Sequence, residues 1–498
     1  MTPPRAKKST QPATTRARLQ SVIKESRNIM RKDAGLNGEL DRLPQLAWLL
    51  FLRALDEVEE ERQINDPDYR PAVTGRYRWS QWAKGDTTGQ SLLTFVEDQL
   101  LPHLRGLRGS GRAGDPRDTV AQIFEHVDNR MHSGYLLAEL VRQLDKVDFA
   151  NADDIHTMAH LYESMLKEMR DAAGDSGEFY TPRPLVRFMT AMVDPRPGES
   201  VLDPAMGTGG FLVEAFDHMR ARATTARQLE QVQAAVRGTE KKSMPFLLAQ
   251  MNFLLHGVDR PAVVQTNALS TPVADMRREG VDVVLTNPPF GGEEERGVQS
   301  NFPAGMQTAE TVWLFLQAVM ARLERTKGRC AIVVPNSVLF DQGIGARIKA
   351  ELMKKFTLHT VLRLPNGVFA PYTLIPSNVL FFEHGRQEDH VWFYEHPLPE
   401  GRKNYTKTKP MAFEELADCA AWWGGSELEG RRETEQAWQV PVAEIVESGY
   451  NLDLRNPNRP DDLAHRPPVE LVAELIETER EMLVLLEQLE REIKDFAL

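Results

Sequence analysis

Cysteine is scarce. The chain has 498 residues and two cysteines, Cys330 and Cys419, too few for a disulfide framework or a thiolate metal set. It has no uninterrupted apolar run of membrane-spanning length. Its first residues lack the apolar core of a secretory signal. A reducing, cytoplasmic setting without membrane contact is expected. The G-x-x-x-x-G-K-[ST] phosphate loop is also absent, which argues against an ATP motor built from this chain by itself. Positive charge is in deficit: 60 Lys and Arg stand against 72 Asp and Glu, a net charge of -12. So acidic a chain grips nucleic acid poorly without a local basic surface or a basic partner. Apolar material is ample, at 41% hydrophobic residues, and the length suits about two to four domains.

What is present centres on Val283 to Gly292, V-V-L-T-N-P-P-F-G-G. Val283, Val284 and Leu285 form the short apolar run that a buried parallel strand requires. Ligands of an open α/β sheet sit outside the carboxyl ends of its strands, so Asn287, leaving this strand, is placed at a site. Pro288 and Pro289 fix φ and remove both backbone N–H groups, leaving a stiff turn with free carbonyl acceptors. Phe290 adds a flat apolar face. Stiff acceptors beside an aromatic plate suit a planar ring that carries an exocyclic amine.

Upstream, residues 1–24 carry Arg5, Lys7, Lys8, Arg16, Arg18 and Lys24 and no acid. They read as a flexible solvated arm, with contact to phosphate as the sharper alternative. Residues 25–150 read as a helical N-terminal domain. Pro44 suits a first helical turn, and Leu46 to Val58 is apolar nearly all round, as in a buried helix. Trp79 and Trp82 flank a loop as packing anchors, and Gly106 to Gly114 reads as a mobile loop. A further helix covers 153–170, where His156 and His160 share one face. That spacing can bind a metal, but no third ligand accompanies it. Thr181 and Pro182 read as the N-cap and first-turn proline of a helix Pro184–Val193.

Strands and helices then alternate, which implies a doubly wound parallel α/β sheet with an antiparallel edge allowed. Val201 and Leu202 form the first strand. Asp203-Pro204-Ala205-Met206-Gly207-Thr208-Gly209-Gly210-Phe211 follows, and its glycines permit a tight backbone and close ligand approach. The second strand, Ala235–Gly238, ends at Thr239-Glu240, where an acid can hold ribose hydroxyls. The third, Ala262–Gln265, ends at Asn267; the fourth, Val281–Leu285, delivers Asn287. Strands near Cys330–Pro335, His359–Leu364, Asn378–Phe382 and Val391–Tyr394 finish the sheet, which is expected to end near residue 395. Residues 396–466 read as a Lys-rich, Trp-containing connector that closes in a linker rich in Pro, Asn and Asp. Residues 467–498 read as a helix with 3–4 apolar spacing at Val472, Leu475, Met482, Leu486, Leu489, Ile493 and Phe496. This is a coiled-coil seam, and it needs a partner helix within the chain or on another subunit.

The glycine turn and Glu240 suit an adenosine-bearing cofactor, and Asn287–Phe290 suits an amine acceptor. Methyl transfer from S-adenosyl-L-methionine joins them. Asp203–Phe211 resembles the cofactor motif of amino-methyltransferases, and Asn287–Phe290 their catalytic N-P-P-[FY] motif. Gly177–Arg183 resembles the third cofactor motif, placed ahead of the other two in the γ class of adenine-N6 DNA methyltransferases. Pro335–Phe340 and Leu364–Phe369 extend the match. With a helical domain before and a helix after, the chain resembles the modification subunit of a type I restriction–modification system.

The resemblance implies a Rossmann-like methyltransferase domain over 151–395. It implies that Glu178, Phe179, Tyr180, Thr181, Pro182 and Arg183 cover the cofactor. Asp203, Gly207, Thr208, Gly209, Gly210 and Phe211 form the turn, of which Thr208, Gly209 and Gly210 meet the cofactor's amino-acid end. Glu240 holds the ribose. Asn267 stands beside the cofactor's adenine, where the family often has Asp; its oxygen can accept from the exocyclic amine while its amide donates to ring N1. Asn287, Pro288, Pro289 and Phe290 form the implied catalytic group. The target adenine leaves the duplex, stacks on Phe290, and gives its N6 hydrogens to the Asn287 side-chain oxygen and the Pro288 carbonyl. The implied partners are double-stranded DNA, a specificity subunit flanked by two copies of this chain, and, in the complete system, a restriction motor subunit. The specificity subunit is the expected partner of the tail helix, with homodimerisation as the competitor. Two rival functions remain: a protein glutamine methyltransferase, which uses a similar N-P-P motif, and a non-catalytic scaffold for DNA and partners.

Overall fold

The computed structural model describes residues 15–111, 115–149, 181–258, 261–370, and 373–458 except 374, 386, 387 and 407, with isolated positions at 158, 159, 162, 476, 479, 480, 482, 483 and 486. The helix expected over 153–170 with His156 and His160, the cofactor residues Glu178, Phe179 and Tyr180, and most of the tail seam lie outside the described residues.

Helix α1 (Thr15–Arg31) buries Leu19, Val22, Ile23, Ile29 and Met30. The arm expected over 1–24 therefore gives way to helix from Thr15, because an apolar stripe at 3–4 spacing outweighs the basic residues between its members. Helix α2 (Glu39–Asn65) contains Pro44 instead of starting at it. Proline has no N–H for the carbonyl four residues back, here that of Leu40, which is itself exposed in the first turn. Leu46 to Leu52 is buried throughout. Trp79 and Trp82 occupy a single helical turn and pack edge to face, 4.9 Å between centroids. Trp79 Nε1 donates to Asp145 Oδ1 at 2.9 Å. The stretch after Gly106, expected to be loose, is pinned in its described part: Asp118 accepts the Gly109 and Gly111 N–H groups at 2.7 Å each, and Asp115 accepts that of Ser110 at 2.8 Å. Helix α3 (Ser243–Leu255) is buried nearly all round because α2 covers it from outside, and one apolar core runs from the N-terminal helices into the sheet.

The sheet has nine strands among the described residues, in the order β3-β2-β1-β4-β5-β7-β6-β8-β9. They are β1 (Val201–Asp203), β2 (Val236–Glu240), β3 (Ala262–Gln265), β4 (Val283–Thr286), β5 (Arg329–Pro335), β6 (Phe356–Arg363), β7 (Ser377–His384), β8 (His390–Glu395) and β9 (Ala437–Pro441). Strands β1 to β5 run parallel. The antiparallel strand β7 lies inside the sheet, between β5 and β6, not only at an edge as expected. Its residues Ser377 to Phe382 are all buried, as an interior strand covered on both faces must be. Nor does the sheet stop near residue 395. Strand β9 pairs with β8, and Trp423, from the stretch read as connector, packs on Phe381 and Phe188 with centroids 4.6 and 6.0 Å apart. Among the described residues no helix is long and apolar enough to cross a membrane, and no group of three or more His, Cys, Asp or Glu is placed to hold a metal ion.

Candidate active site between β1 and β4

Strand β1 pairs on one side with β2 and on the other with β4, so the strand order reverses there. A crevice opens beyond the carboxyl ends of the strands at such a point. Both β1 and β4 are fully buried, and each ends in a polar residue. Thr286 Oγ1 donates to Asp203 Oδ1 at 2.7 Å, and the same oxygen accepts the Ala205 N–H at 3.0 Å. Burial pushes the Asp203 carboxyl up to about 7; the hydrogen bonds from Thr286 and Ala205 oppose this and the charge of Glu240 adds to it.

Asn287 is the next residue. Its Nδ2 donates to the Thr181 hydroxyl at 3.1 Å. Thr181 is therefore not the cap it was expected to be: Pro182 stands at that position of the helix Arg183–Val193, without a side-chain bond. The Asn287 Oδ1 is buried and has no hydrogen-bond partner. Orphaned buried acceptors are rare, and one that opens on a crevice invites a donor from a ligand. Pro288 is buried and Phe290 half-buried. The Phe290 ring meets Phe369 edge to face, 5.8 Å between centroids and 81° between planes. Phe369 belongs to the Leu364–Phe369 segment, and its only signal in the sequence was the resemblance of that segment.

The glycine turn is held from every side. Gly207 and Gly209 adopt φ of 53° and 77°, where only glycine is comfortable. A Cβ on Gly209 would lie 2.8 Å from the Phe253 ring, so its backbone sign and a core ring, rather than a ligand's volume, require glycine there. Arg183 Nη1 donates to the Gly210 carbonyl at 3.1 Å and Asn252 Nδ2 to that of Thr208 at 3.0 Å. Glu240 ends β2, with Oε2 accepting the Gly207 N–H at 3.0 Å and Oε1 that of Lys242 at 2.8 Å. Burial raises its pKa above the ordinary value, against the Lys242 and Gly207 N–H donors. Each oxygen keeps further acceptor capacity.

Thr181, Arg183, Asp203, Gly207, Thr208, Gly210, Phe211 and Asn287 line one cavity of about 30 Å³. Three segments remote in sequence thus meet at one place. Asn267 is not among its lining residues. It stands beyond β3, where its Oδ1 accepts the Leu269 N–H and its Nδ2 donates to Glu294 Oε2, each at 3.0 Å. The oxygen closes a local turn and keeps a second lone pair.

A sheet with an interior antiparallel β7, a glycine turn after β1 and Asn-Pro-Pro-Phe after β4 define a Rossmann-like methyltransferase. The family model for N-6 DNA methylases matches residues 153–465, and that for the HsdM N-terminal domain matches residues 19–144. The chain is 44% identical over 462 residues to the type I restriction enzyme EcoEI methylase subunit of Escherichia coli, covering 92% of this chain and 94% of that one. It is 30% identical over 446 residues to the StySPI methylase subunit of Salmonella potsdam, covering 84% and 79%. A solved modification subunit from Vibrio vulnificus YJ016 aligns with a TM-score of 0.81 at 48% identity, over 92% of this chain and 100% of that one. A chain solved in work on complex assembly in the type I restriction–modification system also aligns at 0.81, with 38% identity and 97% and 99% coverage. The chain belongs to the N-6 DNA methylase family, among the methylase subunits of type I restriction enzymes.

Proposed function

We propose that this DNA methyltransferase modifies N6 of an adenine flipped out of the duplex, as the modification subunit of a type I restriction–modification complex. S-adenosyl-L-methionine, when bound, supplies an electrophilic methyl group. The donor set suits that cofactor: a glycine turn with two left-handed residues, the Glu240 carboxylate, and a narrow cavity between the turn and Asn287. Asp203, Thr208, Gly209 and Gly210 hold the amino-acid end, Glu240 the ribose, and the amide N–H of Asn267 the purine ring. The segment Glu178–Arg183 covers the cofactor.

The Asn287 Oδ1 and the Pro288 carbonyl accept the two N6 hydrogens of the target adenine while Phe290 stacks on its ring. Both acceptors draw the nitrogen toward tetrahedral geometry and expose its lone pair. No strong base is needed before attack, because the N6 proton becomes acidic once the methyl has joined and then leaves to water. Fixed alignment supplies much of the rate. The observation that carries this reading is the orphaned Asn287 Oδ1 beyond β4, with its Nδ2 held by Thr181.

The acidic balance of the chain, -12, supports division of labour in DNA binding. A separate specificity subunit reads the sequence, two copies of this chain flank it, and a restriction subunit joins the complete assembly in the cytoplasm. The proposed parts are a basic arm, a helical N-terminal domain, the methyltransferase domain extended through β9, and the tail helix. Single-turnover transfer of labelled methyl to an adenine-containing duplex, by the assembled complex, tests the chemistry. Asn287→Ala is expected to lose about 10²–10³ in rate, while Asn287→Asp, which keeps an acceptor oxygen, retains measurable transfer. An alanine variant equal to wild type would remove Asn287 from the mechanism.

A further inference from the structure

We propose that Phe340 is a wedge that enters the base stack of the duplex when the target adenine leaves it, with Ile375 as a second apolar contact. The inference rests on the reading above that the adenine is flipped out, and it adds the residue that holds the vacated place.

The sheet is not level at its carboxyl edge. Thr286, the last residue of β4, pairs with Ile332, and β5 runs three residues further, to Pro335. At about 3.3 Å per residue, this carries β5 roughly 10 Å past the end of β4. Strand β7 starts level with it, since Ser377 pairs with Pro335. The two strands form a raised wall directly beside β4 and Asn287, at the end of the sheet where ligands enter.

The crest of this wall carries two exposed apolar side chains. Ser337–Phe340 makes a single helical turn after β5. Val338 and Leu339 are buried, while Phe340 is 50% exposed. Ile375, two residues before β7, is also 50% exposed. The Asn336 N–H donates to the Pro376 carbonyl at 2.8 Å, and Asn378 Nδ2 donates to Asn336 Oδ1 at 3.2 Å. These bonds tie the two sides of the crest together.

The turn that bears Phe340 is rigid. Lys349 is fully buried, and its Nζ donates to the Leu339 and Asp341 carbonyls at 2.8 and 2.9 Å. The Leu452 N–H donates to the same Leu339 carbonyl at 2.9 Å, and the Asp341 N–H to the Ser337 carbonyl at 2.9 Å. Burying an ammonium is unfavourable unless its donors are satisfied. Here it fixes the two carbonyls that flank Phe340. An exposed ring on so fixed a backbone has little freedom to retreat.

A base stack fits this crest. A duplex whose adenine reaches Asn287 lies outside the crevice, against the higher wall. Flipping empties one place in the stack, and apolar side chains inserted between base steps hold such openings. A phenyl ring offers its neighbours a flat face as a base does, and stacking of that kind tolerates any base. Such tolerance suits a chain that leaves sequence reading to another subunit.

The test is single-turnover methylation of two duplexes by the assembled complex, in excess over DNA. In one the target adenine is paired; in the other it faces an abasic site, so its pairing is already gone. Phe340→Ala should slow transfer on the paired duplex roughly 5–150-fold, the contribution of one stacked base, and Ile375→Ala should slow it less. On the abasic duplex Phe340→Ala should approach the wild-type rate, because flipping is easiest there. Phe340→Leu, still apolar, should lie between alanine and wild type on the paired duplex. Equal rates for the alanine and wild-type complexes on the paired duplex would overturn the wedge. So would equal slowing on both duplexes, or loss of the specificity subunit from the Phe340→Ala complex, which would make the crest a protein contact. A wild-type complex that methylates neither duplex would overturn the DNA reading, and the wedge with it.

Discussion

Asn287 donates its amide N–H to the Thr181 hydroxyl at 3.1 Å, and that contact decides which way the asparagine faces. With the nitrogen held by Thr181, the oxygen is left as the buried atom without a partner. The segment ahead of the first strand therefore sets the orientation of the group after the fourth.

Thr181→Val keeps the shape of the side chain and deletes the acceptor. Asn287 can then turn its amide nitrogen toward the crevice, where it repels the N6 hydrogens it should receive. Losing one orienting hydrogen bond is worth about 1 kcal/mol, so single-turnover methylation should slow roughly fivefold. Affinity for S-adenosylhomocysteine should change much less. A Thr181→Ser variant should restore the rate. Equal rates for the valine and wild-type chains would show that Thr181 does not orient Asn287.

Gly209→Ala should destabilise the chain before it disturbs any ligand. The residue has φ of 77°, which costs a non-glycine residue about 1–2 kcal/mol. The new Cβ would also press on the Phe253 ring at 2.8 Å, and overpacking of that kind costs about 1–3 kcal/mol. Replacing Phe253 by Leu in the same chain should recover part of the loss. Thermal melting followed by circular dichroism reads both; a Gly209→Ala chain as stable as wild type contradicts this account of the turn.

Asp203 gives stability a pH dependence of unusual sign. Its carboxyl is pushed up to about 7 in the fold, against about 3.9 in an unfolded chain. The folded state therefore binds the proton more tightly. The stabilisation from this group is complete below about pH 4 and is lost as pH rises through about 7. An amide at this position mimics the protonated carboxyl, so Asp203→Asn should come closest to wild type near pH 4 and melt higher than wild type at pH 8. Parallel melting curves for the two chains across that range would show that Asp203 is ionised in the fold.

The residues that were legible in the sequence are those whose chemistry is contiguous. Asp203–Phe211 and Asn287–Phe290 each carry their turn, their strand end and their polar groups within one short run. What escaped the sequence depends on partners far along the chain. Thr181 before Pro182 satisfies the local rule for a helix cap, and a residue 106 positions away overrides it. The place of β7 could not be read from periodicity, because a buried strand looks the same whether its neighbours run with it or against it. Strand β9 was missed because its residues lie in a polar stretch, with Gln439 and Pro441 facing out.

The tail gives the last prediction. Ile476, Met482, Leu483 and Leu486 are 48 to 61% exposed, and Met482 and Leu486 belong to the seam expected for this segment. Exposed apolar residues so closely spaced on a helix mark a surface for another molecule. Seams of this kind bury their apolar positions against a second helix, and the heptad pattern does not say whose. Assigning that helix to the specificity subunit leads to a definite outcome. Deleting residues 467–498 should leave S-adenosylhomocysteine affinity unchanged, because every residue assigned to the cofactor lies before residue 300. The same deletion should release the specificity subunit in size-exclusion chromatography with light scattering. Replacing Met482 and Leu486 together by Glu should do so without shortening the chain. If the truncated chain still elutes with the specificity subunit, the tail is not the contact; if instead a homodimer of the isolated full chain is lost, the seam pairs with its own copy.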